Sequence, residues 1–135
     1  MSLLIVTGAS SGIGRAIATR FLLDGWTVVN VSRRPCPEPA VESLVCDLTQ
    51  ADAVESLREP LSARLESAER VCLVHNASVM RSDRIDALPG ADLREALELN
   101  LIAPSTLNQL VLPWMKPGSS VIYIGSTLAE KAVPG

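Results

Sequence analysis

Aromatic side chains are scarce in this sequence: Phe21, Trp26, Trp114 and Tyr123 are the only four among 135 residues. Any core must therefore be aliphatic. A basic excess is missing too. Twelve Lys and Arg against fifteen Asp and Glu leave a net charge of -3. That argues against nucleic acid or a polybasic membrane attachment as partner, since both need surplus positive charge. Histidine occurs once, at His75, and cysteine three times, at Cys36, Cys46 and Cys72, with no CxxC pair. A Cys/His zinc site thus lacks ligands, so no metal is expected, and the odd, scattered thiols suit a reducing cytoplasm. Long apolar runs are absent as well. No window approaches the roughly 18 apolar residues of a membrane span. The opening run ends at Thr7-Gly8, too short for a signal-peptide core and with no basic segment before it. The expected location is cytoplasmic.

What is present is a rich supply of short aliphatic runs. Hydrophobic residues make up 47% of the chain, ample for one core, and the length suits one domain. Candidate strands fall at 3–7, 27–31, 44–46, 71–75 and 121–124. They are rich in Val and Ile and mostly lack polar alternation, as strands covered on both faces do. Helical spacing lies between them. Ile13, Ala16, Ile17, Phe21 and Leu22 share one stripe, and Gly25 follows as a C-cap. Val54, Leu57, Leu61 and Leu65 form a second stripe, which Pro60 should kink or split. Leu93, Ala96, Leu97, Asn100 and Leu101 begin a third, with a capping-box-like opening at Asp92. This repetition predicts an α/β chain with an open, Rossmann-like parallel sheet and helices on both faces.

The strongest local signal is Thr7-Gly8-Ala9-Ser10-Ser11-Gly12-Ile13-Gly14, which closes the first strand and opens the first helix. Small residues there let the backbone approach a phosphate, and the helix N-terminus offers free N–H groups and a positive dipole end. No Lys followed by Ser or Thr comes after the last glycine, which excludes a P-loop. Gly8, Ser32, Asp47, Asn76 and Ser126 each lie at or just past the end of a separate apolar run. In an open parallel sheet such ends share one edge, so these residues are expected to converge on one crevice. The plainer alternative is that polar residues simply terminate strands.

Taken with these positions, the sequence resembles the short-chain dehydrogenase/reductase family. Thr7, Gly8, Gly12 and Gly14 match its T-G-x-x-x-G-x-G fingerprint. Asp47-Leu48 matches the acidic segment that contacts the adenine. His75-Asn76-Ala77-Ser78 is similar to the family's N-N-A-G segment but departs at His75 and Ser78. Asn100 matches the asparagine of the long helix and Ser126 the serine after the fifth strand. The resemblance implies a strand order of 3-2-1-4-5. It also implies a cofactor site formed by Gly8, Ser10, Ser11, Gly12, Ile13, Gly14, Asp47, Leu48, Asn76, Ala77 and Ser78, with catalytic roles for Ser126 and Asn100. Pro104 bears on the last of these. It lacks the N–H that would bond the Asn100 carbonyl in a continuous helix, leaving that oxygen for a water; the resemblance implies a water-linked proton relay there.

Cofactor choice is read after the second strand. Ser32-Arg33-Arg34 stands where an enzyme using NAD usually carries an acid for the ribose hydroxyls, and the first acid is Glu38. A guanidinium grips a 2′-phosphate that a carboxylate would repel, so NADP(H) is expected. The implied reaction is hydride transfer between NADP(H) and a small-molecule carbonyl or alcohol. The family's Tyr-x-x-x-Lys pair is not found within residues 1–135. The only tyrosine is Tyr123, with Thr127 four places on. Residues 1–135 are therefore expected to be an incomplete NADP-binding domain, trimmed from a longer reductase or a non-catalytic remnant. The rival readings are a regulatory module that holds NADP without turning it over and a structural partner. Residues 101–115 carry no charge, which predicts burial on more than one side and a homodimer or homotetramer joined there.

Overall fold

The computed structural model describes residues 1–81 and 84–131. The chain runs β1 (Ser2–Thr7), α1 (Gly12–Leu23), β2 (Thr27–Ser32), β3 (Glu42–Val45), α2 (Ala51–Glu55), α3 (Arg58–Ser67) and β4 (Arg70–His75). A long helix follows in three pieces: α4 (Gly90–Leu97), a π-helical turn (Glu98–Ile102) and α5 (Ala103–Val111). β5 (Ser120–Tyr123) completes a five-stranded sheet of order β3-β2-β1-β4-β5. Every pairing is parallel, so all strand carboxyl ends lie along one edge, as the alternation of runs required.

Strand periodicity sorts the core into two layers. Leu3 and Ile5 of β1, Val29 and Val31 of β2, and Val71 and Leu73 of β4 face α3 and α5, against Leu61, Leu65, Leu107 and Val111. Leu4, Val6, Val28, Cys72 and Val74 point the other way and pack on Ala18, with Ile17, Phe21 and Leu22 of α1. Both faces of the central strands are dry. That is why their sequences read as unbroken aliphatic runs.

Helix ends follow local chemistry. Gly25, at φ +80°, ends α1. Its N–H donates to the Leu22 carbonyl at 3.0 Å, and Trp26 N–H to that of Phe21 at 3.0 Å, a Schellman closure. The helix expected around Pro60 is split, but at Ser56–Leu57. Pro60 lies in the first turn of α3, where a missing N–H costs nothing. The long helix starts at Gly90 with Pro89 before it and no side-chain cap, so the opening expected at Asp92 is two residues late. β3 begins two residues earlier than its apolar run, at Glu42; Cys46 N–H still reaches the Ser32 carbonyl at 3.0 Å.

The uncharged segment is buried on one side rather than several. Ala103, Leu107, Leu110 and Val111 are buried, while Leu101 is 64% exposed and Ile102 and Leu112 are also open. No described residue covers that second face. Among the described residues, no helix is long and apolar enough to cross a membrane.

Leu61 is fully buried between α3 and the sheet, whereas Leu23 on α1 is 77% exposed. Leu61→Ala should lower the unfolding free energy by about 2–5 kcal/mol, and Leu23→Ala should change it by under ~0.5 kcal/mol. Urea denaturation checks both, and equal losses would contradict the layer assignment.

Candidate functional site

The turn after β1 and the end of β4 are laced together. Thr7 Oγ1 accepts from the backbone N–H groups of Asn76 (3.0 Å) and Ala77 (2.9 Å). The Asn76 amide in turn donates to the carbonyls of Thr7 (3.1 Å) and Gly8 (3.3 Å). Gly8, at φ +75°, lies so close that a Cβ there would stand 3.0 Å from the Ala77 Cα. A Cβ on Gly14 would come 2.5 Å from Asn76 Nδ2 and closer still to the Gly8 carbonyl oxygen. Only glycine fits at both positions. Beside this cradle, Ser11 precedes α1 without a side-chain cap bond, so the helix N-terminus keeps its donors for a ligand.

A cleft of about 490 Å³ opens along the carboxyl edge of the sheet. Gly8, Ser10, Ser11 and Ile13 line it from the glycine turn, Ser32, Arg33 and Arg34 from β2, Asp47 and Leu48 from β3, and Asn76, Ala77 and Ser78 from β4. Gly12 and Gly14 shape the turn without lining the cleft. Gly12 takes φ +57° at the surface, and Gly14 is buried against Asn76.

Two further expected site residues, Asn100 and Ser126, also lie outside this lining. Asn100 sits in the π-helical turn and pairs reciprocally with one backbone position. Its Nδ2 donates to the Val79 carbonyl at 2.8 Å, and its Oδ1 accepts from the Val79 N–H at 2.9 Å. The turn is π because Ala103 N–H reaches five residues back to Glu98, with Pro104 unable to donate to Asn100. Ser126 follows β5 and accepts from Leu128 N–H at 3.1 Å, opening a short 3-10 turn. The cleft thus brings together Gly8, Ser32, Asp47 and Asn76, while Ser126, past the carboxyl end of β5, is not among its lining residues. β5 is the outermost strand beside β4, on the side away from the arginine loop.

Charge around the cleft is arranged by local bonds. Asp47 is held below the usual carboxylate range, first by the Thr49 hydroxyl at 2.7 Å, then by the Thr49 N–H at 3.0 Å, and further by the Arg33 cation. Burial, with Asp47 adding to it, pushes the Cys46 thiol up to about 11, so this cleft-lining thiol is no nucleophile. Glu38, the first acid after β2, is drawn into an ion pair with Arg15 at 2.8 Å. Sequence reasoning missed Cys46, Thr49, Val79, Arg81, Glu95 and Leu99 as lining residues. The Asp47-x-Thr49 spacing is a legible Asx-turn signal. Arg81 and Glu95, which form an ion pair at the rim, are 14 residues apart and meet only through the fold.

His75 completes the end of β4. It is buried, its Nε2 bonds Asn108 Oδ1 at 2.8 Å, and the Asn108 amide donates to the Tyr123 hydroxyl at 2.6 Å. Asn108 Oδ1 can only accept, so Nε2 carries the proton. Nδ1 is buried with no partner among the described residues.

These features define an α/β domain with a glycine-rich cradle at the carboxyl edge of its sheet, and comparison with known proteins says of which kind. The family model described as short chain dehydrogenase matches residues 2–135. The chain belongs to the short-chain dehydrogenase family. An NADPH-dependent 3-dehydrocapnine reductase of Ornithobacterium rhinotracheale is 32% identical over 96% of this chain and 51% of its own length. A short-chain dehydrogenase/reductase structure from Burkholderia vietnamiensis superposes at TM-score 0.89 with 26% identity, covering 99% of this chain and 69% of that one. An oxidoreductase of the same family from Brucella ovis, in complex with a partially ordered NAD, superposes at TM-score 0.70 with 30% identity. It covers 83% of this chain and 56% of its own. The chain spans about half the length of the curated relatives it matches.

Burial holds the His75 pKa below its ordinary value, with the Asn108 bond opposing more weakly. The unfolded chain then takes up a proton near pH ~6.5 before the folded one does. Stability from this group is complete above that pH and declines as pH falls from there toward the lower folded value. Urea unfolding at pH 7 and pH 5.5 should show a drop that His75→Gln reduces. Identical drops in both proteins would contradict it.

Proposed function

We propose that residues 1–135 form the cofactor-binding part of an NADP(H)-dependent oxidoreductase that interconverts a carbonyl and an alcohol. One observation carries the cofactor choice. Arg33 and Arg34 line the cleft where β2 ends, while Glu38, the first acid after β2 in the sequence, is neutralised by Arg15. A 2′-phosphate placed there meets cationic partners and no competing carboxylate from that loop. The name of the 32% identical reductase points to the same cofactor; the NAD of the Brucella ovis protein favours the alternative.

The residues present fit a dinucleotide. The glycine cradle leaves room that a Cβ would fill, and the uncapped α1 N-terminus suits the pyrophosphate. Asp47 and Leu48 suit the adenine, Ser32, Arg33 and Arg34 the ribose phosphate, and Asn76, Ala77 and Ser78 the inner ribose. When bound, the cofactor supplies or accepts the hydride. In this reading the Ser126 hydroxyl hydrogen-bonds the substrate oxygen. Asn100 positions the segment after β4 through Val79, and its carbonyl holds a water for proton relay. The phenol and lysine that the resemblance implies as proton donor and its activator are not among residues 1–135. The intact protein, in the same reading, is a cytoplasmic homodimer or homotetramer, and the exposed Leu101, Ile102 and Leu112 give it an apolar face to join.

Losing one charge-assisted contact costs about 1.5–3 kcal/mol, or roughly ten- to a hundredfold in affinity. Fluorescence titration of NADPH and NADH should therefore show tighter NADPH binding to the wild type. Arg33→Ala should weaken NADPH by that factor while leaving NADH nearly unchanged. Equal affinities in the wild type would contradict the reading.

A further inference from the structure

Asn30 is fully buried in the middle of β2, between aliphatic neighbours Val29 and Val31. A core amide costs free energy unless its polar atoms are paired, and a valine would fill the strand equally well. Here the pairing is complete and points outward in two directions. Asn30 Oδ1 accepts from the Ala9 N–H at 2.9 Å, inside the glycine turn. That N–H can only donate, which fixes the amide's orientation. Nδ2 must then face the opposite way, where it donates to Ser32 Oγ (2.9 Å) and Ser43 Oγ (3.2 Å).

Both hydroxyls hold the arginine loop. Ser32 Oγ donates to the Arg34 carbonyl at 2.6 Å. Ser43 Oγ, on β3, accepts from the Cys36 N–H at 2.9 Å. Arg33 therefore lies between a buried serine and a pinned carbonyl. One amide, 21 residues from Ala9 in the sequence, thus ties the turn beside the pyrophosphate site to the loop beside the ribose-phosphate site.

We propose that Asn30 and Ser43 are positioning residues for cofactor selection: their network presets the 33–36 loop so that Arg33 faces a 2′-phosphate. This rests on the NADP(H) reading above. Ser43 is the informative handle. Its hydroxyl touches the loop but not the glycine turn, so its removal loosens the arginine end and leaves the Ala9 bond intact. Asn30→Ala breaks both ends and should weaken both cofactors.

The test is titration of NADPH and NADH against the wild type, Ser43→Ala and Ser43→Thr, with melting temperatures recorded alongside. Ser43→Ala should lower the ratio of NADPH to NADH affinity about three- to tenfold, the effect of one hydrogen bond. NADH affinity should stay within about twofold, and Ser43→Thr, which keeps the hydroxyl, should restore the ratio. A lowered melting temperature with an unchanged ratio, or equal weakening of both cofactors, overturns the proposal. If the wild type prefers NADPH and Ser43→Ala keeps that preference, this inference alone fails. If the wild type shows no preference, the underlying NADP(H) reading fails and takes this one with it.

Discussion

The exchange of hydrogen bonds between Thr7 and Asn76 sets the geometry on which the cleft depends. β1 and β4 are adjacent parallel strands whose chains both leave the sheet at the same edge. Left to themselves, the two emerging loops would diverge and leave backbone donors unpaired. The Thr7 hydroxyl instead takes the N–H groups of Asn76 and Ala77, and the Asn76 amide takes the carbonyls of Thr7 and Gly8. The loops are drawn together until only glycine fits at positions 8 and 14. The free N–H groups at the start of α1 are thereby aimed along the edge where the other strand ends gather.

A similar device recurs along the edge. Asn30 joins the glycine turn to the arginine loop, and Asn100 joins the long helix to the segment after β4. Asn30 uses its acceptor and its donor in opposite directions, and Asn100 turns both toward Val79; a hydroxyl or carboxylate does either less well. The sheet supplies a rigid row of anchor points, and amides fix the loops to it. A site carried on loops gains precision this way without a second layer of regular structure.

Much of this architecture was legible in the residues. Strands buried on both faces advertise themselves as aliphatic runs, and repeated alternation of strand and helix, broken only between β2 and β3, leaves an open parallel sheet as the economical outcome. The glycine turn was legible because its spacing reflects steric need. What escaped is what depends on register. Nothing in Thr27–Ser32 says that Asn30 lies beneath Ala9, or that Arg81 will find Glu95. Ser126 was expected at the crevice because it ends a strand, but its strand is outermost and its hydroxyl opens a 3-10 turn. The split before Pro60 and the π-helical turn around Asn100 involve competition among backbone bonds that local propensity resolves only to within a few residues.

The central claim is that one dinucleotide spans the glycine turn, the arginine loop and the end of β4. Amide hydrogen exchange with and without NADPH tests it most directly. The account predicts slowed exchange in three separated stretches, 9–14, 32–36 and 76–79, with little change in the buried strands or in α3. Protection confined to one stretch, or centred on α3 and α5, would contradict it.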